Sequence, residues 1–188
     1  MRHTGGDMPL SEPGAREHIH TRHIDCRGYK RDDGLWDIEG QMVDTKTYAF
    51  DNRFRGQVLP GTPVHDMWLR ITVTDSLEIV DVEAATDAHP YPNCPEITPD
   101  YRKMVGTKIR PGWTSVVRER LGGTLGCTHQ TRLIQELAVV AIQTVVPTLM
   151  RKGKFGGSDK RPPQIDACHA LRSDGPVVEE LYPRWFRS

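Results

Sequence analysis

The sequence predicts an α+β fold, in which an antiparallel sheet of N-terminal strands packs against C-terminal helices that include one long helix. Apolar and polar residues alternate along several segments before residue 85, which is typical of half-buried strands. After residue 98 the apolar residues recur at helical spacing instead. Strands that come first and helices that come later favour the α+β class.

Four segments are expected to form strands. Residues 16–26 are polar on both faces and suit an exposed edge strand. The next strand, 35–48, contains Gly40 as a candidate bulge, and residues 64–74 and 77–85 form an antiparallel hairpin. Alternation places Trp36, Ile38 and Met42 on one face of the second strand, and His65, Met67, Leu69, Ile71 and Val73 on one face of the third.

The second half of the chain carries helix signals that are separated by proline-rich and glycine-rich turns. Residues 87–99 hold several prolines and are expected to form a rigid loop and not a helix. Short helices are predicted at 98–105 and 111–121, each with a proline near its start. A glycine-rich turn at 122–126 then leads into the longest helix, which is predicted over 128–150.

We expect one domain with a tail at each end. Residues 1–15 lack periodicity and are predicted to be a flexible N-terminal segment, whereas residues 16–150 form the single α+β domain. Residues 151–188 are polar and rich in glycine and proline, and they are predicted to pack on the domain or on a partner. Trp185 and Phe186 in this extension suggest a homodimer contact.

Charge balance and cysteine spacing limit the classes of partner and compartment. Lys+Arg and Asp+Glu are both 25, so the chain lacks the basic surface that nucleic acid or an anionic membrane would require. The four cysteines are widely spaced and the N-terminus lacks an apolar signal core, which favours reduced thiols in the cytoplasm. Polar residues interrupt the apolar run from Leu133 to Met150, which predicts a buried helix. A small-molecule or protein partner is therefore expected.

Cys127 and His129 open the long helix directly after the glycine-rich turn. The partial positive charge of a helix N-terminus favours a thiolate at Cys127, which can bind metal or react. With Cys94 from the proline-rich loop and His65 from a strand end, this pair could form a tetrahedral zinc or iron site. Alternatively, the two cysteines are small buried residues and His65 is a core histidine.

A second polar set lies on the predicted second strand. Asp44, Lys46 and Tyr48 share one face, so they could present an acid, a cation and a phenol to a ligand, or they could form a solvated face with an ion pair. Asp66 points away from its neighbour His65 and cannot orient it. Exposure on the first strand explains its three histidines without a metal, since His18 and His20 lie on one face and His23 on the other.

Five short motifs are distinctive when they are taken together. They are Asp33-Gly34-Leu35-Trp36, Asp44-Thr45-Lys46, Pro63-Val64-His65-Asp66-Met67, Pro90-Tyr91 with Cys94, and Gly126-Cys127-Thr128-His129. With these motifs the chain resembles, from about residue 16 to 145, a bacterial family catalogued as a domain of unknown function. The resemblance implies that His65, Cys94, Cys127 and His129 share a site. It also implies an association with pathways for lignin-derived aromatics, and hence a formaldehyde lyase that acts on a phenylpropanoid dimer.

The leading hypothesis is a carbon–carbon lyase of the deformylation type. No dinucleotide fingerprint, phosphate loop or serine elbow is present, which disfavours nucleotide cofactors and hydrolase chemistry. His65 or His129 would be the base, and Lys46, Tyr48 or Arg70 would stabilise negative charge. The remaining candidates are Cys127 as a catalytic residue, and Asp44, Arg70, Trp68 and Tyr91 as substrate-binding residues.

Two alternatives from other classes remain open. In the first, Cys94, Cys127, His129 and His65 hold a structural zinc in a binding module without catalytic activity. In the second, Cys127 is a nucleophilic or redox-active thiol. Chelation would unfold the first kind of protein, and selective alkylation would identify the second.

Overall fold

The computed structural model describes residues 10–153, 161–162 and 164–188. The chain divides into two compact units, Met1–Ala141 and Ile142–Ser188, and the boundary falls inside the longest helix. Within the expected N-terminal segment, residues 10–15 are exposed and lack regular structure, and residues 1–9 lie outside the described residues. Part of the expected C-terminal extension, residues 154–160 and 163, also lies outside them.

Four long strands of the first unit form an antiparallel sheet, as the sequence predicts. Two short strands between the second and third of these pair as a separate hairpin. In chain order the strands are β1 (His20–Lys30), β2 (Trp36–Lys46), β3 (Phe50–Asn52), β4 (Gly56–Val58), β5 (Pro63–Val73) and β6 (Ile79–Ala88). The order in the sheet is β1-β2-β5-β6, so β1 is an edge strand and β2 and β5 are central.

The strand boundaries differ from the prediction at several places. β1 begins at His20 and continues to Lys30, because it pairs along its whole length with β2. β2 ends at Lys46, where the backbone N–H of Gly61 donates to the Lys46 carbonyl, so Tyr48 lies outside the strand. The β3–β4 hairpin lies between the predicted second and third strands, where no strand was predicted.

The core face of the sheet follows the predicted alternation. Every second residue of β2 is buried from Trp36 to Asp44, and the same holds for β5 from Met67. The large core side chains of these two strands are Trp36, Ile38, Met42, Met67, Leu69, Ile71 and Val73. The polar residues Asp44 and His65 continue the two apolar rows at the same end of the sheet, Asp44 after Met42 and His65 before Met67.

Gly40 is not a bulge, contrary to the prediction, and it pairs in regular register with Leu69. A Cβ at this position would lie 2.8 Å from Leu137 Cδ2 and 2.9 Å from Leu133 Cδ1. The absence of a side chain therefore allows the long helix to approach β2 closely. The register shift of β2 against β5 lies between Asp44 and Thr45 instead.

The long helix agrees closely with its predicted position. The helices are α1 (Trp113–Leu121), α2 (Thr128–Arg151) and α3 (Pro176–Leu181). A 3₁₀ helix, Cys94–Met104, occupies part of the segment that was predicted to be a non-helical loop and most of the predicted helix at 98–105. The loop prediction was wrong from Cys94 onwards because Pro95 lies in the first turn, where a helix leaves N–H groups unpaired in any case.

Helix α2 has the length and composition of a membrane span, and it is the one such helix in the described part of the chain. The core helix of a soluble protein can share both properties. In the first unit its residues Leu133, Ile134, Leu137 and Ala141 are fully buried. These buried positions support the predicted role of α2 as a core helix.

Candidate functional site

Asp44 and His65 face each other across the two central strands. They are register partners in the β2–β5 pair, and each continues the apolar face of its strand at this end of the sheet. His65 Nδ1 lies 3.0 Å from Asp44 Oδ2, and the Asp44 side chain is only 2% exposed. The carboxylate that orients His65 is therefore Asp44. As predicted, Asp66 does not orient it, since Asp66 accepts a hydrogen bond from Gln41 Nε2 at 2.8 Å.

The edge strand supplies two further partners to the Asp44 carboxylate. Arg22 is the register partner of Asp44, and its Nε and Nη2 atoms donate to Oδ1 and Oδ2 at 2.8 and 2.7 Å. His20 Nε2 lies 3.2 Å from Oδ1. A carboxylate that is removed from water needs such partners, because its desolvation is otherwise very costly. Both oxygens of Asp44 are thus hydrogen-bonded.

His129 reaches the same cluster from the first turn of α2. Its ring centroid lies 3.8 Å from that of His65, with an interplanar angle of 32°. Its Nε2 atom lies 3.7 Å from Asp44 Oδ2. Asp44, His65 and His129 therefore form one group, which we call the histidine–carboxylate cluster.

The start of α2 is held in place by the glycine turn and by a buried tyrosine. A Cβ on Gly126 would lie 2.4 Å from the carbonyl oxygen of Leu121, so the chain can pass here only without a side chain. The Tyr101 hydroxyl accepts a hydrogen bond from the Cys127 N–H at 3.1 Å and donates to the Cys127 carbonyl oxygen at 2.9 Å. These contacts position Cys127 and, two residues later, His129.

Cys127 lies beside the cluster and not inside it. Its Sγ atom is 3.8 Å from His129 Nδ1 and 3.8 Å from Met67 Sδ. Its carbonyl oxygen accepts the N–H of Thr131, which places Cys127 immediately before the first turn of α2. The predicted adjacency of Cys127, His129 and the His65 strand end is therefore present in the structure.

Opposing effects set the charge of Asp44. Burial alone would raise the pKa of this carboxyl group. The hydrogen bonds and positive charge of Arg22 outweigh burial, and His65 and His20 add to their effect, so the pKa of Asp44 lies below its usual value. Asp44 is therefore an anion at neutral pH.

Burial has the opposite consequence for the two stacked imidazoles. Burial, with the nearby charges of Arg22 and His20, lowers the pKa of His65, although the Asp44 carboxylate acts in the opposite direction. Burial also lowers the pKa of His129, and the nearby His65 and Arg22 lower it further. Both rings are therefore neutral at pH 7. With its Nδ1–H donated to Asp44, His65 keeps a lone pair on Nε2, and this is the form that acts as a general base.

The cluster also brings together three possible metal ligands. Ligand atoms of Asp44, His65 and His129 all lie within 4.8 Å of one another. Among the described residues this group does not include Cys94, which begins the 3₁₀ helix, or Cys127. Arg22 already binds both Asp44 oxygens, and its positive charge would oppose a cation there.

Residues 20–143 match a family model that is described as a protein of unknown function, DUF2889. The chain belongs to the DUF2889 family. This finding confirms the predicted resemblance to a domain of unknown function, whereas the link to lignin-dimer lyases stays a prediction. Comparison of the chain with curated proteins and with solved structures gave no match.

Within this DUF2889 domain, two predicted site residues lie away from the cluster. Trp68 and Arg70 alternate with the core residues of β5, so their side chains lie on the face opposite to His65. Arg70 forms ion pairs with Glu39 and Glu83 on that face. The structure therefore does not bring Trp68 or Arg70 to His65.

The remaining predicted residues lie at the same end of the DUF2889 sheet as the cluster. Lys46 ends β2, and its Nζ atom lies 5.9 Å from the centre of the Tyr48 ring. Tyr91 follows β6 and makes an edge-to-face contact with Phe54 at 6.1 Å. Tyr48 also contacts Phe50 at 6.2 Å. We call these two pairs of rings, Tyr48 with Phe50 and Phe54 with Tyr91, the aromatic rim.

The rim is tied to the strand that carries His65. Arg55, next to Phe54, donates from Nη1 to the carbonyl oxygens of Pro63 and Val64 at 3.0 and 3.4 Å. Tyr48, Phe54 and Tyr91 are 45%, 56% and 56% exposed, so these rings present apolar surface to solvent. Exposed aromatic groups are typical of ligand-binding surfaces.

Sequence reasoning missed Arg22 and the contact of His20 with Asp44. It interpreted β1 as an exposed strand whose histidines need no further explanation. One signal was available, because Asp44 continues the buried face of β2 and a buried acid requires a cation or a donor. The partner could have been sought on the same face of a neighbouring strand.

Proposed function

We propose that this protein is an enzyme, a carbon–carbon lyase that releases formaldehyde from an aromatic, lignin-derived type of substrate. The observation that carries the proposal is the Asp44–His65 pair, in which Nδ1 and Oδ2 are 3.0 Å apart. This contact leaves the other imidazole nitrogen of His65 free to accept a proton. The low pKa of His65 keeps it in the neutral form that a base requires.

In the proposed step, His65 Nε2 takes the proton of a primary hydroxyl group on the substrate. The hydroxyl oxygen forms a double bond to its carbon as the adjoining C–C bond breaks, and formaldehyde leaves. The electron pair of the broken bond delocalises toward the aromatic ring, and the carbon then takes a proton back from the imidazolium. The net change is R–CH₂OH to R–H and CH₂O, without an oxidant or reductant.

The surrounding residues fit the parts of this step. Asp44 stabilises the positive charge that His65 gains, as an adjacent carboxylate does in general. Lys46, at the end of β2, is the cation we assign to stabilise developing negative charge, with Tyr48 beside it. We no longer assign this role to Arg70, because its side chain lies on the face of β5 opposite to His65.

The aromatic rim supports the substrate class. Three of its rings are about half exposed at the end of the sheet that carries His65. An aromatic substrate would stack on or against them, because aromatic pairs prefer offset or edge-to-face contacts. A small-molecule substrate and a cytoplasmic location are part of the proposal, as the charge balance and the cysteine spacing suggest.

Formaldehyde release from a phenylpropanoid dimer that bears a primary hydroxymethyl group tests the function. We expect His65→Ala to lower turnover about a hundredfold or more, because it removes the base. His23→Ala is the matched control. His23 lies on β1, pairs with Val43 of β2 and is outside the cluster. Folded His65→Ala protein with wild-type turnover would exclude His65 as the base, and a dimer left intact by the wild type would count against the lyase.

A second candidate function is a zinc or iron site, and the 4.8 Å grouping of Asp44, His65 and His129 favours it. Elemental analysis of the purified protein tests this directly. One metal ion per chain, lost in His129→Ala, would support it. Turnover that persists after chelation in a metal-free protein would exclude it, and this is the outcome that the Arg22 contacts lead us to expect.

A further inference from the structure

Three adjacent strands carry a continuous polar row at the site end of the sheet. The register pairs Arg22 of β1 with Asp44 of β2, and Asp44 with His65 of β5. The two contacts are the Arg22–Asp44 ion pair, at 2.7 Å, and the His65–Asp44 contact, at 3.0 Å. Each residue thus acts on the next through a direct contact.

The geometry of the Arg22 contact fixes the plane of the Asp44 carboxylate. Nε and Nη2 each bind a different oxygen, and a planar guanidinium that makes two parallel bonds prevents rotation of its partner. With this plane fixed, Oδ2 faces His65 Nδ1. A carboxylate oxygen accepts but cannot donate, so the Nδ1 of His65 must carry the hydrogen.

Other donors would compete for Asp44 if Arg22 were absent. His20 Nε2 lies 3.2 Å from Oδ1, and His129 Nε2 lies 3.7 Å from Oδ2. A carboxylate that is free to rotate could bind either of these rings instead of His65. With the Arg22 contact in place, the His65 nitrogen lies closest of the three to the carboxylate, at 3.0 Å, so the bidentate contact favours His65 over the other two rings.

We propose that Arg22 is a positioning residue for the base: through Asp44 it holds His65 in the Nδ1–H tautomer, with the Nε2 lone pair available to the substrate. Arg22 itself does not touch the reacting atoms. The consequence for catalysis rests on the proposed lyase function, whereas the tautomer of His65 does not depend on it. The edge strand β1 thereby gains a role in the site.

The test compares Arg22→Gln, Arg22→Lys and the matched control Arg27→Gln. Arg27 lies on the same strand and binds both oxygens of Asp25, at 3.4 and 2.5 Å, but at an exposed position. The first readout is the ¹⁵N NMR spectrum of the His65 ring, which distinguishes the two tautomers without any substrate. The second is kcat and KM for formaldehyde release.

We expect a single Nδ1–H tautomer of His65 in the wild type and in Arg27→Gln, and a mixture in Arg22→Gln. kcat should fall about tenfold or more in Arg22→Gln with KM changed less than about twofold, because the base and not the substrate contact is disturbed. Arg22→Lys should recover part of the tautomer preference, since a lysine supplies charge without the planar fork.

An unchanged Nδ1–H tautomer in Arg22→Gln would overturn the proposal, whatever the activity. A mixed tautomer in Arg22→Gln, together with a wild type that releases no formaldehyde, would support the role of Arg22 and contradict the proposed lyase function. If Arg22→Gln does not fold, Arg22→Lys decides the question. A folded Arg22→Lys protein with wild-type tautomer and wild-type kcat would show that the bidentate fork is not required.

Discussion

The two ends of the central strands carry the same kind of contact, a ring N–H bound to a carboxylate, with different chemical consequences. At one end Trp36 Nε1 donates to Asp75 Oδ1 at 2.8 Å, and at the other His65 Nδ1 lies 3.0 Å from Asp44 Oδ2. An indole has one nitrogen, which is donor only, so the Trp36 contact is complete. An imidazole has a second nitrogen, which can take up a proton.

Strand β1 brings a cation to each end as well. Lys30 Nζ lies 4.2 Å from the centre of the Trp36 ring, where a cation–π contact covers the indole. Arg22 binds the carboxylate and not the ring, and the His65 side chain, which stacks on His129, stays 16% exposed. We infer that the same strand arrangement yields a structural contact at one end and a reactive one at the other.

The largest difference between the two ends is expected when Asp44 and Asp75 are each replaced by asparagine in separate variants. Asp44→Asn removes the charge that stabilises protonated His65 and that binds Arg22, so turnover should fall about a hundredfold. Asp75→Asn keeps an oxygen that can accept the Trp36 N–H, so stability should change by less than about 1 kcal/mol. Formaldehyde release and thermal unfolding measure the two effects. Equal turnover of the two folded variants would show that Asp44 is as structural as Asp75.

Lowering the pH should protonate His65 at one end of the central strands, whereas the Trp36 indole at the other end does not titrate. Burial lowers the pKa of His65, so turnover should persist below the usual histidine value of about 6.5 and then fall about tenfold per pH unit below the lowered pKa. The pH dependence of kcat measures this. An activity midpoint at or above pH 6.5 would contradict the role of a neutral, buried His65.

The same pKa directions set the pH dependence of stability. Because the folded pKa of His65 and His129 is lower than the unfolded one, protons bind the unfolded chain more tightly, and stability falls as pH decreases from about 6.5 toward the folded values. The low pKa of Asp44 adds stability above its unfolded value, about 3.9, and this is lost as pH falls through the folded pKa. Denaturant unfolding at several pH values measures the slope, which His65→Gln should reduce.

A smaller effect is expected from the turn that delivers His129 to the site end. Gly126→Ala would place a Cβ 2.4 Å from the Leu121 carbonyl oxygen and 2.9 Å from Thr131 Oγ1. The clash with the backbone should cost about 1–3 kcal/mol of stability and displace the start of α2. Gly14→Ala is the control, because no atom of the described residues lies within 4 Å of a Cβ there. Identical denaturation midpoints for both variants would show that the turn tolerates a side chain.

The smallest effect is expected at the aromatic rim. Tyr91→Ala should raise KM about two- to tenfold with little change in kcat, because one aromatic contact contributes about 0.5–1.5 kcal/mol to binding. Tyr29→Ala, on β1, removes a ring of similar exposure far along the strand from Arg22 and should leave KM unchanged. A lower kcat with unchanged KM for Tyr91→Ala would place this ring in the chemical step and not in binding.

The fold class and the core could be predicted because each rests on local periodicity. Alternation placed Met67, Leu69 and Ile71 on one face of β5, and helical spacing located α2 to within one residue of its end. Gly40 was misread because its neighbours in the fold, Leu133 and Leu137, are distant in the sequence. The sequence alone does not distinguish a glycine that accommodates a packed helix from a glycine in a bulge.

The candidate site was predictable only in part, and for a related reason. His65 and His129 were identified because each stands at the end of a patterned element. Arg22 was not, since β1 is polar on both faces and its register against β2 cannot be deduced from the pattern. Cys94 was grouped with them by motif, but the fold does not bring it into the cluster of described ligand atoms.

The Tyr101 hydroxyl that holds Cys127 bears on how an alkaline pH–rate profile should be interpreted. Burial raises the pKa of Tyr101 to about 12, so the phenol remains protonated and keeps its bonds throughout the usual assay range. Its contribution to stability is complete below the unfolded value of about 10 and is lost as pH rises toward 12. A fall in turnover between pH 8 and 10 would therefore report another titrating group and not the loss of the Tyr101 contacts with Cys127.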